Sequence, residues 1–317
     1  MTIKLQIPVI DLAGFEGVER ENLCKEIARA CEQWGFFQVI NHAVDESLMT
    51  RALDVYREFY YLPPEEKMKV LLTGGSRDGW QHPTLTEPSD NSQIVKNVVG
   101  PSSPEFLDNI WIPDLPQSRH KRPTSPCSFQ PTVSEFVMAA KSLHEKLLKM
   151  MSEGLGLESD AFMKHLSAPY VSTRSHFYPF PATGTDVDGP YLAHSDASIL
   201  SNGKYKSVLH RGSRNASKER VSLACFYSPS GAAVMAPIEE LHIGGQRPNY
   251  RAVRFRDYVK DHVQSLMANG NIRRWDWNCS NLKSYLATLL QYPDCVISVS
   301  VEKSPVGGAS REAEWSS

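Results

Sequence analysis

The apolar residues of this chain follow two different periods in its two halves. Over residues 19–34, 46–60 and 132–154 they recur at three- and four-residue steps, which predicts three amphipathic helices. From Ser172 to Pro229 they form short β-prone runs separated by proline and glycine, which is typical of an all-β sandwich or barrel. The sequence therefore predicts a fold of the α+β class, in which helices precede a β core.

Shorter elements are predicted around these segments. The region from Thr73 to Pro131 is rich in glycine, serine and proline, which indicates loops interrupted by short strands. The carboxy-terminal tail is ambiguous, because Ser280–Leu290 suits a helix and Cys295–Val301 suits a strand. Short apolar runs predict two further strands, at Ile7–Leu12 and Phe36–Ile40. One further helix is predicted at Phe255–Met267.

Charge and hydropathy exclude several classes of protein. The 34 Lys and Arg residues are balanced by 36 Asp and Glu residues, so the chain has no positive field that would attract nucleic acid. No uninterrupted apolar run approaches the ~20 residues that a membrane span requires. The first six residues show no basic-then-apolar leader, which argues against secretion. With 317 residues and 41% hydrophobic content, the chain is long enough for about two domains and a sizeable core.

The cysteines indicate a reducing compartment. Six cysteines are scattered along the chain without any CxxC pair, so neither a disulfide framework nor a zinc finger is predicted. Buried, reduced thiols are typical of cytosolic proteins. We therefore expect a cytoplasmic protein with no nucleic-acid partner and no membrane association.

A His-x-Asp sequence in the β-rich half could bind a metal ion. His194 and Asp196 are two residues apart, so on a strand their side chains point to the same side. With one distant histidine they would form the two-histidine, one-carboxylate set of non-haem Fe(II) oxygenases. The same three donors could also bind zinc in a hydrolase, and two ordinary polar residues on an exposed strand are a third interpretation.

An Arg-x-Ser sequence farther along could bind a carboxylate. Alternation along a strand places Arg220 and Ser222 on one face. A guanidinium group beside a hydroxyl is a suitable receptor, because arginine donates two parallel hydrogen bonds to a carboxylate. The alternative is that Arg220 is a solvated charge on a strand.

Several segments, in this order, resemble the plant-type 2-oxoglutarate- and Fe(II)-dependent dioxygenases. That family contains anthocyanidin synthase, flavonol synthase and the gibberellin oxidases. The resemblance extends over most of the chain from Ile7 to about Met267. The matching segments are Ile7–Leu12, Cys31–His42, Leu62–Lys67, Phe177–Pro179, His194–Asp196, Leu200–Arg211, Arg220–Ser222 and Phe255–His262.

The resemblance implies an iron site and an adjoining cosubstrate site. The implied iron ligands are His194, Asp196 and His210. The far carboxylate of 2-oxoglutarate would be bound by Arg220 and Ser222, and Tyr178 would donate a hydrogen bond to the same cosubstrate. The family usually has asparagine at the position of His176, so a cosubstrate contact is not expected there.

The resemblance also implies a fold and an activity. The expected fold is a double-stranded β-helix, or jelly roll, with a helical amino-terminal region packed against it. The expected reaction is the oxidation of a small organic molecule, such as a plant secondary metabolite or hormone, by dioxygen. The cofactors would be Fe(II) and 2-oxoglutarate, and the family also admits ascorbate. The implied divisions are an amino-terminal region at 1–130, the Fe(II)/2-oxoglutarate domain at 131–267 and an unrecognised tail at 268–317.

The chain departs from this family between two of the implied iron ligands. Only thirteen residues separate Asp196 from His210, where the family has several strands of the barrel. Since strands average ~5–6 residues, so short a connection cannot contain them. We therefore expect a truncated jelly roll. An alternative function follows, namely an inactive family member, produced by splicing or by a faulty gene model, that acts by binding if it acts at all.

Local turn chemistry argues against convergence of the three ligands. Asn202-Gly203 favours a two-residue type I′ turn of a β-hairpin. Continued pairing from that turn would place His210 opposite Ser195, and therefore on the face that His194 and Asp196 do not share. This register predicts weak or absent iron binding.

Overall fold

The computed structural model describes residues 7–63, 66–67, 108–113, 123–178, 199–206, 219–242, 247–258 and 299–301. The helices in these ranges include α1 at Arg20–Gln33, α2 at Glu46–Tyr60, α3 at Phe129–Gly154 and α4 at Ala161–Leu166, with 3-10 turns at Leu12–Gly14 and Glu239–Leu241. The strands are β1 at Val9–Asp11, β2 at Gln38–Ile40, β3 at Asp108–Pro113, β4 at Tyr170–Tyr178, β5 at Arg220–Ser228, β6 at Val234–Met235, β7 at Val253–Arg254 and β8 at Val299–Val301.

The strands form three sheets. β1 and β2 form a parallel pair, and β6 and β7 form an antiparallel pair. The largest sheet has the order β3-β4-β5-β8, and all its neighbours are antiparallel. Its last strand comes from the tail that the sequence leaves ambiguous, and it agrees with the strand interpretation of Cys295–Val301. The described part of Phe255–Met267 is helical over 255–258.

The three long helices agree with the apolar periodicity, with one difference at the start of α3. This helix begins at Phe129, three residues before the predicted position, and includes Pro131 in its first turn. A proline is tolerated there because the first N–H groups of a helix have no partner within the helix. Asp45 caps α2 by accepting a hydrogen bond of 2.8 Å from the backbone N–H of Leu48.

One face of the large sheet contacts α2 and α3. Tyr56 of α2 is fully buried, and its hydroxyl lies 2.8 Å from the hydroxyl oxygen of Thr173 on β4. His144 of α3 stacks on Tyr227 of β5, with ring centroids 5.6 Å apart. Its Nε2 lies 3.2 Å from the carbonyl oxygen of Cys225. These contacts hold the odd-numbered positions of β4 and β5 against the helices.

The described cysteines are thiols, as the composition predicts. Cys24, Cys31 and Cys225 are buried and Cys127 is exposed, and none of these four forms a disulfide. Burial raises the pKa of Cys24 to about 11 and raises the pKa of Cys225 as well. Protonated thiols are poor nucleophiles, so these buried cysteines are structural. No described helix combines the length and the hydropathy of a membrane span.

An ion pair joins α1 to α3. Arg20 donates two hydrogen bonds to the Glu153 carboxylate, of 2.9 Å from Nε and 2.6 Å from Nη2. The two side chains are 29% and 27% exposed. The hydrogen bonds from Arg20 are the main reason why the pKa of Glu153 is lowered from 4.5 to about 2. The ionised carboxylate therefore stabilises the folded chain.

Replacing Glu153 with glutamine is expected to lower the free energy of unfolding at pH 7 by ~1–3 kcal/mol, because a bidentate charge pair is lost. The contribution is fully present above the unfolded-state pKa near 4.5 and decreases as the pH falls towards the folded-state value of about 2. Urea unfolding at pH 7 and pH 3.5 should therefore show a smaller difference between variant and parent at the lower pH.

Glu135 provides the matched control for this variant. Its pair with Arg51 has a length of 3.2 Å, but the two side chains are 50% and 60% exposed. We expect Glu135→Gln to cost less than ~1 kcal/mol, as exposed pairs do. An equal cost for both variants, or a Glu153 effect that is independent of pH, would contradict the assignment.

Candidate cosubstrate and metal site

The pairing of β4 with β5 brings four polar side chains to one face of the large sheet. Tyr178 lies directly opposite Arg220, and His176 lies directly opposite Ser222. Opposed residues in an antiparallel pair share a face, as do alternate residues along a strand. The even-numbered positions of both strands therefore share the face that is turned away from α2 and α3.

In this group the Arg220 guanidinium group packs against the aromatic ring of Tyr178. The guanidinium carbon of Arg220 lies 3.9 Å from the ring centroid of Tyr178, in a cation–π contact. Tyr178 is 4% exposed and Ser222 is 8% exposed. The rings of His176 and Tyr178 are tilted by 50°, with centroids 6.2 Å apart. A permanent positive charge thus lies beside two hydroxyl groups that are shielded from water.

These residues fit the distal carboxylate of a dicarboxylic acid. The guanidinium group is charged at any physiological pH and supplies paired donors, and a hydroxyl from the same strand can donate a further hydrogen bond. Low exposure of Tyr178 and Ser222 strengthens such bonds, because less water competes for the donors. The roles expected for Arg220, Ser222 and Tyr178 are compatible with this geometry, and they stay predictions.

A cluster at the end of α2 holds the chain beside Arg220. The hydroxyl of Tyr61 donates a hydrogen bond to the Glu219 carboxylate. Arg57 also faces Glu219, with 3.7 Å from Nε to the carboxylate, and donates a 2.6 Å hydrogen bond to Asp54. The hydrogen bond to Glu219 raises the pKa of Tyr61. Glu219 thus connects α2 to the first residue of β5.

The sequence analysis missed Glu219 and Tyr61 as residues that support the site. They are 158 positions apart in the sequence, and neither belongs to a motif. The position of Glu219 directly before Arg220 is the only local signal that could have indicated it. Its partner becomes visible only when α2 is packed on the sheet.

The three expected iron ligands, His194, Asp196 and His210, lie outside the described residues. Within the ranges that the structure describes, no group of three or more His, Cys, Asp and Glu side chains is arranged to hold a metal ion. The iron site therefore stays a prediction from the sequence.

The turn between the expected ligands has the predicted conformation. Asn202 and Gly203 have φ values of 54° and 80°, and the N–H of Lys204 donates to the carbonyl of Ser201 at 3.0 Å. Positive φ at both central positions is the mark of a type I′ turn, which Asn-Gly favours. The local prediction is confirmed.

The prediction that a β-ladder continues from this turn is wrong for residues 199–206. Lys206 should have donated its N–H to Ile199, but it donates to the carbonyl of Cys31 at 2.9 Å. The carbonyl of Leu200 accepts a 3.1 Å hydrogen bond from Ile238. A tertiary partner has replaced the cross-turn partner of Lys206, so the register argument against convergence of the iron ligands no longer holds.

Comparisons with known proteins identify the family of the chain. Residues 7–100 match the model of the amino-terminal domain described as "non-haem dioxygenase in morphine synthesis". Residues 187–229 match the 2OG-Fe(II) oxygenase superfamily. Jasmonate-induced oxygenase 4 of Arabidopsis thaliana is 30% identical over 80% of this chain and 81% of its own length. The chain belongs to the plant 2-oxoglutarate- and Fe(II)-dependent dioxygenases.

Other relatives of this dioxygenase support the same assignment. Flavonol synthase/flavanone 3-hydroxylase of Matthiola incana is 27% identical over 82% of this chain and 99% of its own length. The solved structure of JOX2 in complex with 2OG, Fe and JA aligns with a TM-score of 0.62 at 27% identity, over 80% of this chain and 83% of that one. A rice dioxygenase for auxin oxidation shares the fold, with a TM-score of 0.62 at 19% identity, over 82% of this chain and 95% of that chain.

Membership establishes the enzyme class and its cofactors. The chain is a dioxygenase-type oxidoreductase whose cofactors are Fe(II) and 2-oxoglutarate, as in the JOX2 complex. Its core fold is that of the 2-oxoglutarate/Fe(II) oxygenases, a jelly roll. The resemblance seen in the sequence motifs is confirmed.

Proposed function

We propose that this chain is a cytoplasmic enzyme that hydroxylates or desaturates a small organic molecule, such as a plant secondary metabolite or hormone. In hydroxylation, 2-oxoglutarate, dioxygen and a substrate C–H group become succinate, carbon dioxide and an alcohol. In desaturation, two hydrogen atoms of the substrate leave as water. The observation that carries the proposal is that Arg220, Ser222 and Tyr178 lie together on one face of the sheet, with the Arg220 guanidinium group over the Tyr178 ring.

Arg220 has the largest role in cosubstrate binding. Its guanidinium group would donate to both oxygens of the distal carboxylate, while the hydroxyl groups of Ser222 and Tyr178 donate from the two paired strands. The contact with the Tyr178 ring and the fixed position of Glu219 both restrict how Arg220 can move. A receptor that is organised before binding loses little conformational freedom when the ligand enters.

The predicted metal ligands have donor chemistry that suits Fe(II). His194, Asp196 and His210 would supply two imidazole nitrogens and one carboxylate oxygen, which leaves coordination positions open. When bound there, Fe(II) would supply the redox chemistry that couples dioxygen to oxidation of the substrate. The buried ring of Tyr178 would exclude water from the cosubstrate and so limit unproductive oxidation.

An inactive family member is a second candidate, and the short connection favours it. Thirteen residues separate Asp196 from His210. The alignment with the Matthiola incana relative extends over 299 residues, of which this chain supplies about 260, that is 82% of 317. About 40 aligned positions thus have no counterpart here. The thirteen-residue connection supports a truncated jelly roll within the domain that we place at 131–267, between an amino-terminal region at 1–130 and a tail at 268–317.

Anaerobic titration with Fe(II) in the presence of 2-oxoglutarate separates the two candidates. For the enzyme we expect one Fe(II) per chain and, on admission of air, release of succinate. His194→Ala should abolish both. His165→Ala, a histidine of the short helix α4, is the matched control and should change neither. Absence of stoichiometric Fe(II) uptake, with uptake restored by inserting the family's strands between Asp196 and His210, would support the inactive candidate.

A further inference from the structure

The end of α2 contacts the end of β4 from the face opposite the cosubstrate receptor. Tyr60 stacks on Phe177, with ring centroids 5.4 Å apart and an angle of 20° between the ring planes. Tyr61 meets the same ring edge-on, at a centroid distance of 5.7 Å. Phe177 directly precedes Tyr178, so the two side chains point to opposite faces of the sheet. The two tyrosines of the helix end therefore hold the strand at the position of Tyr178.

Tyr61 also contacts the chain at the start of β5. Its hydroxyl donates a hydrogen bond to the carboxylate of Glu219, which directly precedes Arg220. The other carboxylate oxygen of Glu219 lies 3.7 Å from Nε of Arg57. The Glu219 and Arg57 side chains are both half-buried, so water screens their attraction only in part. Both oxygens of this carboxylate thus have a partner at the end of α2.

Tyr61 therefore contacts the residue that precedes each member of one register pair. Tyr178 and Arg220 lie directly opposite each other, with the guanidinium carbon 3.9 Å from the ring centroid. The Tyr61 ring contacts Phe177 on β4, and its hydroxyl reaches Glu219 beside β5. A single side chain thus joins the two strands at the end that bears the receptor. The spacing of the receptor residues depends on contacts made on the opposite face of the sheet.

From this arrangement we infer that Tyr61 is a positioning residue for 2-oxoglutarate and acts through its hydrogen bond to Glu219. The inference rests on the proposed function, since it concerns the same cosubstrate receptor. Tyr61 lies on the helix side of the sheet, so it acts on the receptor through the strands. Donors that are held at the correct spacing before binding lose little conformational freedom when the ligand enters. Loss of the hydrogen bond therefore lowers the affinity for 2-oxoglutarate.

Steady-state succinate release by the full-length, Fe(II)-loaded chain, without an added organic substrate, tests this inference. Tyr61→Phe keeps the ring contact and loses the hydrogen bond. We expect its KM for 2-oxoglutarate to rise roughly threefold to tenfold, while kcat stays within about twofold of the parent. Glu219→Ala should raise KM at least as much, whereas Glu219→Gln keeps an oxygen acceptor and should restore a KM close to that of the parent. Adding Tyr61→Phe to Glu219→Ala should cost nothing more, because the hydroxyl then has no acceptor to lose.

Tyr227 provides the matched control for Tyr61. Its hydroxyl donates a 3.1 Å hydrogen bond to Glu145 of α3, so it also joins a helix to β5, but it lies seven residues beyond Arg220. Tyr227→Phe removes the same kind of hydrogen bond far from the receptor. We expect it to lower the midpoint of thermal unfolding and to leave the KM for 2-oxoglutarate unchanged. A structural role alone would move the unfolding midpoint of Tyr61→Phe in the same way without moving its KM.

Two results would overturn the inference: a KM in Tyr61→Phe within about twofold of the parent, or an equal rise of KM in Tyr227→Phe. The comparison of Glu219→Gln with Glu219→Ala decides the point independently if a tyrosine variant does not fold. Anaerobic calorimetric binding of 2-oxoglutarate to the unaltered, Fe(II)-loaded chain separates this inference from the proposed function. Normal binding that Tyr61→Phe leaves intact contradicts only the positioning role, whereas absent binding contradicts the proposed function and the positioning role with it.

Discussion

Replacing Arg220 with glutamine is expected to weaken 2-oxoglutarate binding by roughly 100-fold to 4,000-fold, and succinate release should fall to background. The variant keeps a side chain of similar size but loses the charge that binds the distal carboxylate. Removing one partner of a shielded ion pair costs ~3–5 kcal/mol, because the remaining charge is left without compensation. Each ~1.4 kcal/mol corresponds to a factor of ten in the dissociation constant. Calorimetric titration of 2-oxoglutarate measures the loss directly.

Two further variants control this measurement. Arg220→Lys retains the positive charge but not the planar fork, so we expect an intermediate loss of about tenfold. Arg254→Gln removes an exposed arginine from another strand and should leave the affinity unchanged. Thermal unfolding of each variant verifies that the fold persists. An Arg220→Gln variant that binds 2-oxoglutarate within threefold of the parent would show that this face of the sheet is not the cosubstrate site.

Replacing Phe129 with alanine is expected to lower the free energy of unfolding by ~3–5 kcal/mol, the range for truncating a buried aromatic side chain. Phe129 is 1% exposed at the start of α3. Its ring contacts Tyr56 edge-on, with centroids 4.9 Å apart, and lies 5.8 Å from Phe59. The cavity left by the substitution would lie between two helices that cannot close it without losing their contacts with the sheet. Urea unfolding at pH 7 measures the change.

Met138 provides a matched control on the same helix. It is 64% exposed, so Met138→Ala shortens an apolar side chain of the same helix without opening a cavity. We expect this variant to remain within ~0.5 kcal/mol of the parent. If Phe129→Ala cost no more than Met138→Ala, the packing between α2 and α3 would not be what stabilises this part of the core.

Much of the local structure follows from the sequence. The apolar period predicts α1, α2 and α3, because burying one face of each helix requires that spacing. The start of α3 was predicted three residues late, since Pro131 suggested a boundary where the first turn of a helix tolerates it. The Asn202-Gly203 turn was predicted correctly, because positive φ at two successive residues strongly favours that pair.

The same turn shows where local reasoning fails. The hairpin expected around it requires a hydrogen bond from the Lys206 N–H to the Ile199 carbonyl, but Lys206 donates to Cys31 and the Ile199 carbonyl accepts from Asn202. A buried backbone N–H needs one acceptor, and a carbonyl across the turn and a carbonyl from a distant segment satisfy it equally well. The packed structure decides which of the two is within reach. The predicted register of His210 depended on that choice.

The sequence by itself determined the helices, the turn, the alternation that places Arg220 and Ser222 together, and membership of the dioxygenase family. Each of these depends on residues that are close along the chain or on motifs that can be read directly. The tertiary structure alone decided that Tyr178 faces Arg220 and that Tyr61 donates its hydrogen bond to Glu219. These contacts join segments far apart in the chain, and their formation depends on how α2 and α3 pack on the sheet, which no local pattern encodes.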